Sequence, residues 1–235
     1  VEQTVSSVFP QLYYQDLVKS ILNRADDNAD PVNNIQAAIK RLKLMQLYNG
    51  GLTFWPGHGS ESWWGSVYAA HFLVEAKKAG YEVDNDFLDK LLDYLKMKLK
   101  SKKTFTYYYN RNKKKEIAPK EVPYSLYVLA LADEKQSSTM NYYKSRPDLL
   151  SLDGKYLLAA AYALTGDKLK YKQILPPAFE GEKAEKVTGG SFYSYVRDEA
   201  IALNALLEVE PDNQQIGIMA KHLSEQLKSR RYLNT

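Results

Sequence analysis

Few residues in this chain have the types and spacing that chemistry requires. Asp26-Asp27-Asn28-Ala29-Asp30 has the Asp-Asp-x-x-Asp spacing that can hold magnesium. Such carboxylates must project from a helix end into an apolar cavity. Here they precede Pro31, where acidic side chains suit a turn and an N-cap. Glu61, Asp198 and Glu199, with Trp55, Trp63, Trp64, Tyr107, Tyr108 and Tyr109 as aromatic platforms, contain the ingredients of a glycan-cleaving site. Asp198 and Glu199 are adjacent, however, so on a helix they point about 100° apart and cannot both flank one bond. His58, His71 and His222 are too scattered for a metal-ligand set. At the start, Val1-Glu2-Gln3 sets an acid beside a side-chain amide, which alone is unreactive. The chain has no cysteine, which excludes disulfides and cysteine-type zinc sites within it. No metal or cofactor is expected.

The bulk properties narrow the class. A length of 235 residues suits one large domain or two small ones. Hydrophobic residues make up 45% of the chain, enough for a core; charged residues make up 26%, with a net charge of +4, an ordinary solvated surface. The basic excess is local: Lys96, Lys98, Lys100, Lys102 and Lys103, then Arg111, Lys113, Lys114 and Lys115. It reads as a solvated helix end and loop rather than a nucleic-acid patch. No apolar run approaches the ~18 residues of a membrane-spanning helix, so no membrane insertion is expected. The first residues show neither the basic n-region nor the apolar h-region of a signal peptide.

The elements that must position these residues are helical. Ile35, Ala38, Ile39, Leu42, Met45 and Gln46 recur at intervals of three and four, between Asp30-Pro31 and Asn49-Gly50-Gly51. Ser60-Glu61-Ser62 opens the next helix, with Val67, Ala70, His71 and Val74 on one face, ending at Gly80. Asp84 and Asn85 can cap a third, carrying Phe87, Leu88, Leu91, Leu92, Leu95 and Leu99. Further helices are expected over 123–133, 152–164, 169–174, 198–209 and 213–228. The best extended candidate, 104–109, is expected to form part of a long loop. Two turns look alike: Gly50-Gly51-Leu52-Thr53-Phe54-Trp55 and Gly189-Gly190-Ser191-Phe192-Tyr193-Ser194-Tyr195. In each, a glycine pair allows a tight turn and an aromatic anchors the approach to a helix. Self-similar helical hairpins suggest a stacked solenoid or a closed α/α toroid. The run Leu157-Leu158-Ala159-Ala160-Ala161-Tyr162-Ala163-Leu164 is apolar on more than one face, which favours the toroid, where inner helices are buried on both sides. The expected fold class is therefore all-α, an α/α toroid of about ten to eleven helices.

Three blocks carry a family resemblance: Glu2-Gln3-Thr4 through Pro10-Gln11-Leu12-Tyr13; Gly50-Gly51-Leu52-Thr53-Phe54-Trp55-Pro56-Gly57 with Trp63, Trp64 and Tyr68-Ala69-Ala70-His71-Phe72-Leu73-Val74-Glu75-Ala76; and Gly189-Gly190-Ser191-Phe192 with Asp198-Glu199-Ala200. In order and spacing they resemble the thioester domain of bacterial α2-macroglobulins, relatives of the complement thioester domain. The second block is the most specific. The resemblance covers nearly all of 1–235, and implies a single thioester-type domain from a larger multidomain protein, with its first and last helices truncated.

What the family does is implied for this chain by that resemblance. A Cys-x-Glu-Gln motif forms a strained thioester between the cysteine thiol and the glutamine acyl group, and a protease nucleophile attacks it and stays attached. Gln3 would be the acyl partner and Glu2 the acid beside it; the cysteine would precede Val1. The stretch 110–122 lacks the histidine that some complement relatives use for acyl transfer, so direct attack by a lysine is implied. Trp55, Trp63 and Trp64 would meet neighbouring β-sandwich domains that shield the thioester; for Trp63 and Trp64 the alternative is packing against the glycine-pair loop. Neighbouring tryptophans cannot both face a core, so one of Trp63 and Trp64 is expected to be exposed or covered by another domain. The family also implies a protease inhibitor rather than an enzyme, target proteases as partners of the full-length protein, and a periplasmic or envelope setting. The competing readings are a glycan-active α/α-toroid enzyme and a helical interaction domain without covalent chemistry.

Overall fold

The computed structural model describes residues 1–13, 30–57, 59–109, 113–180, 184–185 and 195–229. The Asp26 to Ala29 part of the acidic run, His58, the second glycine-pair turn through Ser194, and the tail after Ser229 lie outside them. The described residues hold ten α-helices, which makes the fold all-α, as the periodicity indicates. The chain divides into two compact units, Val1–Lys98 and Leu99–Thr235.

The first unit contains α1 (Glu2–Val8), α2 (Pro31–Lys43), α3 (Trp63–Lys78) and most of α4 (Asn85–Leu99). The starts are set by side-chain caps that the sequence marks. Asp30 accepts the Asn33 backbone N–H at 2.9 Å, with Pro31 in the first turn of α2. Ser62 accepts from the Gly65 N–H at 3.0 Å, and Asp84 from the Phe87 N–H at 3.0 Å. The periodic face of α2, Ile35, Ala38, Ile39 and Leu42, is buried. Between α2 and α3 the chain doubles back through single antiparallel bridges, Gln46 to Leu52 and Thr53 to Glu61. Of the glycine pair, Gly50 has φ +86°, and a Cβ there would meet the Lys90 carbonyl oxygen at 2.1 Å. Gly51 is held for space instead, since its Cβ would lie 2.7 Å from the Tyr94 ring.

The second unit begins with a correction. Residues 105–109 form a strand rather than part of a loop. β1 (Phe105–Tyr109) pairs antiparallel with β2 (Lys113–Ile117), and β3 (Ala184–Glu185) adds to the other edge of β1. The Thr and aromatic content of β1 suits a pleated surface. Its alternation is hidden because Lys113, Lys114 and Lys115 make β2 look like a charge run, while only Ile117 of β2 is buried. The cross-strand pairs supply what the pattern conceals: Thr106 donates to Glu116, and Lys114 lies 5.3 Å from the centre of the Tyr108 ring.

Helices α5 (Glu121–Leu131), α6 (Ser137–Lys144), α7 (Leu152–Leu164), α8 (Lys168–Ile174), α9 (Tyr195–Val209) and α10 (Gln214–Ser229) follow, with a 3₁₀ turn at Pro147–Leu149. Every residue of α5 from Val122 through Leu131 is buried, as is the body of α7 from Asp153 through Tyr162 apart from Lys155. A helix apolar all round is stable only when enclosed. A satellite core gathers Tyr156, Phe179, Ala202, Leu206 and Met219. Helix α6 is absent from the sequence reading because it buries only Met140 and Tyr143, too few for a visible period.

Candidate functional site

Gln3 lies on the exposed first turn of α1, directly after buried Val1 and half-buried Glu2. This turn is tied to the glycine-pair segment: the Val1 nitrogen donates to the Phe54 carbonyl at 2.9 Å, and the Val5 N–H donates to the Val1 carbonyl at 3.0 Å. Val5 and Val8 sink into the unit while Gln3 and Ser7 face outward, so helical period alone places Gln3 on the open side. A cavity of about 610 Å³ opens beside it, with Glu2, Gln3, Gln11, Arg41, Met45 and Trp55 among its lining. Trp55 is 57% exposed and Phe54 41%, a large aromatic surface at the rim of this cavity.

Trp63 and Trp64 are both half-buried, so the helix divides the burial between them rather than exposing one. The Lys98 ammonium lies 5.1 Å from the centre of a Trp63 ring and donates to Glu61 at 2.9 Å. Lys98 is therefore set apart from the solvated lysine run in which the sequence places it. Glu61 also accepts from the Asn49 amide at 2.6 Å. Burial alone would raise the Glu61 carboxyl, but the hydrogen bonds from Lys98 and Asn49 outweigh it and hold the group below the usual carboxylate range.

The remaining carboxylates are engaged in the second unit. Lys120, 8% exposed, forms ion pairs with Asp153 at 3.3 Å and with Asp198. Burial and the neighbouring Asp153 raise the Asp198 carboxyl above its ordinary value. For Lys120, burial favours the neutral amine, but Asp153 and Asp198 more than offset it and the ammonium is stabilised. Glu199, fully buried, meets His222 Nδ1 at 2.7 Å. Asp198 and Glu199 thus turn to different partners, as their adjacency on a helix requires. Glu61 and Asp198 are each paired with a lysine, and Glu199 with the His222 ring. Sequence reasoning missed Lys120 and Asp153; a lone lysine before an apolar helix is the only trace of them.

His71 is buried on α3, with the Phe9 ring edge-on at 4.9 Å. Burial, reinforced by Lys78, pushes its pKa down to about 3. Asp30 is accounted for by its capping bonds. Among the described residues no group of three or more His, Asp or Glu side chains could hold a metal ion.

No protein-family model matches the chain. Over an alignment of 243 residues it is 28% identical to the alpha-2-macroglobulin of Escherichia coli strain K12, which takes in 100% of the chain and 14% of that relative. The alpha-2-macroglobulin of Xylella fastidiosa strain Temecula1 is 26% identical over 86% of the chain and 12% of its own length. The structure matches that of Salmonella alpha-2-macroglobulin reacted with methylamine, with a TM-score of 0.77 and 25% identity, over 99% of the chain. The chain is homologous to a segment of the bacterial α2-macroglobulins. It spans about one seventh of the length of these relatives (14% of the Escherichia coli protein and 15% of the Salmonella chain). The trypsin-activated Escherichia coli protein has the same fold over 99% of the chain, with a TM-score of 0.76 at 23% identity. The α2-macroglobulin resemblance that the three sequence blocks carry is thus found again in whole-chain similarity. Among the described residues no helix is long and apolar enough to cross a membrane.

Proposed function

We propose that residues 1–235 act as the thioester domain of a bacterial α2-macroglobulin-like protease inhibitor, an α/α toroid within a larger envelope or periplasmic protein. The observation that carries this reading is the place of Gln3: exposed on the first turn of α1, at the rim of a cavity, in a turn held to the glycine-pair segment by the Val1–Phe54 backbone bond. A cysteine immediately before Val1 would complete Cys-Val-Glu-Gln. Its thiol would add to the Gln3 side-chain carbonyl and ammonia would leave, giving the thioester. A lysine amine of a protease would then attack the acyl carbon; the thiolate would depart, and an amide would join the protease to residue 3. The chain is a trap in this reading and not an enzyme, since the acyl group is consumed once. Proteases are the partners, as the trypsin-activated relative suggests. Trp55, and the half-buried Trp63 and Trp64, are proposed contacts for neighbouring β-sandwich domains that keep water from the thioester.

The test is the residue preceding Val1 in the longer protein. If it is cysteine, methylamine should inactivate that protein and release one thiol per molecule. Any other residue removes the warhead and leaves a non-covalent scaffold.

A further inference from the structure

Gly65 directly follows the Trp63-Trp64 pair, and nothing in its backbone requires glycine, since its φ is not positive. It is reserved by space. A Cβ built on it would lie 2.3 Å from Val1 Cγ1 and 3.0 Å from Ser62 Oγ. Real carbon atoms do not approach so closely, so one neighbour would have to move. Ser62 is fixed, because its Oγ accepts the Gly65 N–H and its carbonyl accepts from Ser66 Oγ at 2.6 Å. Ser66 Oγ in turn accepts the Leu52 N–H at 2.8 Å. Val1 would have to yield, and it is β-branched, with few rotamers to escape into. It is also 6% exposed and bonded through its nitrogen to Phe54. The body of α1 cannot follow, because Val5 and Val8 are buried. The displacement would concentrate on the first turn, where Gln3 lies.

We infer that Gly65 is a positioning residue for the acyl group of Gln3: its missing side chain is the seat of Val1, and so sets where residue 3 and the residue before Val1 stand relative to each other. This rests on the thioester reading of the site. Misplacement by about 1 Å costs a positioned reaction about a hundredfold, and thioester closure between two side chains three residues apart has that sensitivity.

The experiment is a two-by-two exchange in the full-length protein, Gly65→Ala, Val1→Ala and both together, with thiol released by methylamine as the readout and the thermal midpoint recorded beside it. Gly65→Ala should lower thiol release about a hundredfold. Val1→Ala removes the colliding Cγ1, so the double variant should recover most of the release, which a general loss of stability at Gly65 would not allow. Val1→Phe overfills the same contact while keeping Gly65, and should show the same loss. The inference is overturned if Gly65→Ala releases thiol as the wild type does, or if the double variant stays as low as Gly65→Ala. A wild-type protein that releases no thiol refutes the thioester reading itself, and with it any role for Gly65 in that chemistry.

Discussion

Acidification should weaken the Val1–Lys98 unit through one side chain. His71 is enclosed on α3, and its pKa falls from 6.5 to about 3 because burial disfavours the imidazolium. The unfolded chain therefore binds a proton at His71 more readily than the folded one. Stability from this group is fully present above pH 6.5 and is lost as the pH falls toward 3, where the folded form also protonates. Integrating between those two values gives a loss of about 2 kcal/mol between pH 7 and pH 5, and a ceiling of about 5 kcal/mol at lower pH. The chain has three tryptophans, Trp55, Trp63 and Trp64, all in this unit, so tryptophan fluorescence during urea unfolding reports it selectively. The comparison is wild type against His71→Gln at pH 7 and pH 5. Other titrating groups contribute equally to both proteins, so the difference between their pH responses isolates His71. The reasoning is refuted if His71→Gln loses as much stability on acidification as the wild type, or if NMR titration finds the His71 ring protonating near 6.5.

The buried ion triad predicts a larger cost. Lys120→Met leaves Asp153 and Asp198 buried without their cation and should destabilise by about 3–5 kcal/mol in chemical denaturation, with part regained in Lys120→Met/Asp198→Asn. Gly50→Ala places a Cβ against the Lys90 carbonyl at a left-handed position, and should lower stability by about 2 kcal/mol or more, read as a shift in urea midpoint without a change in slope. Leu158→Ala, at a site of zero exposure in α7, should cost about 2–5 kcal/mol in the same assay, whereas Leu169→Ala on the exposed side of α8 should fall within about 0.5 kcal/mol.

The sequence by itself determined the helical class, most helix starts and the family resemblance, because those depend on local and repeated features. Asp30, Ser62 and Asp84 bond to backbone groups three residues away, so their capping role is visible in a short window. The apolar faces of α2 and α4 follow from spacing alone, and so does the outward position of Gln3 two residues before buried Val5. The tertiary structure decided what depends on residues distant in the chain. The strand at 105–109 became legible only through its pairing with a lysine run. Glu61 ceased to look like a catalytic acid once Lys98, 37 positions away, was found on it, and Asp198 once Lys120, 78 positions away, was found beside it. Gly65 has its reason for being glycine in Val1, 64 positions away, whose Cγ1 occupies the space a Cβ would need. In each case the deciding partner comes from another segment, and a linear pattern carries no record of which segments meet.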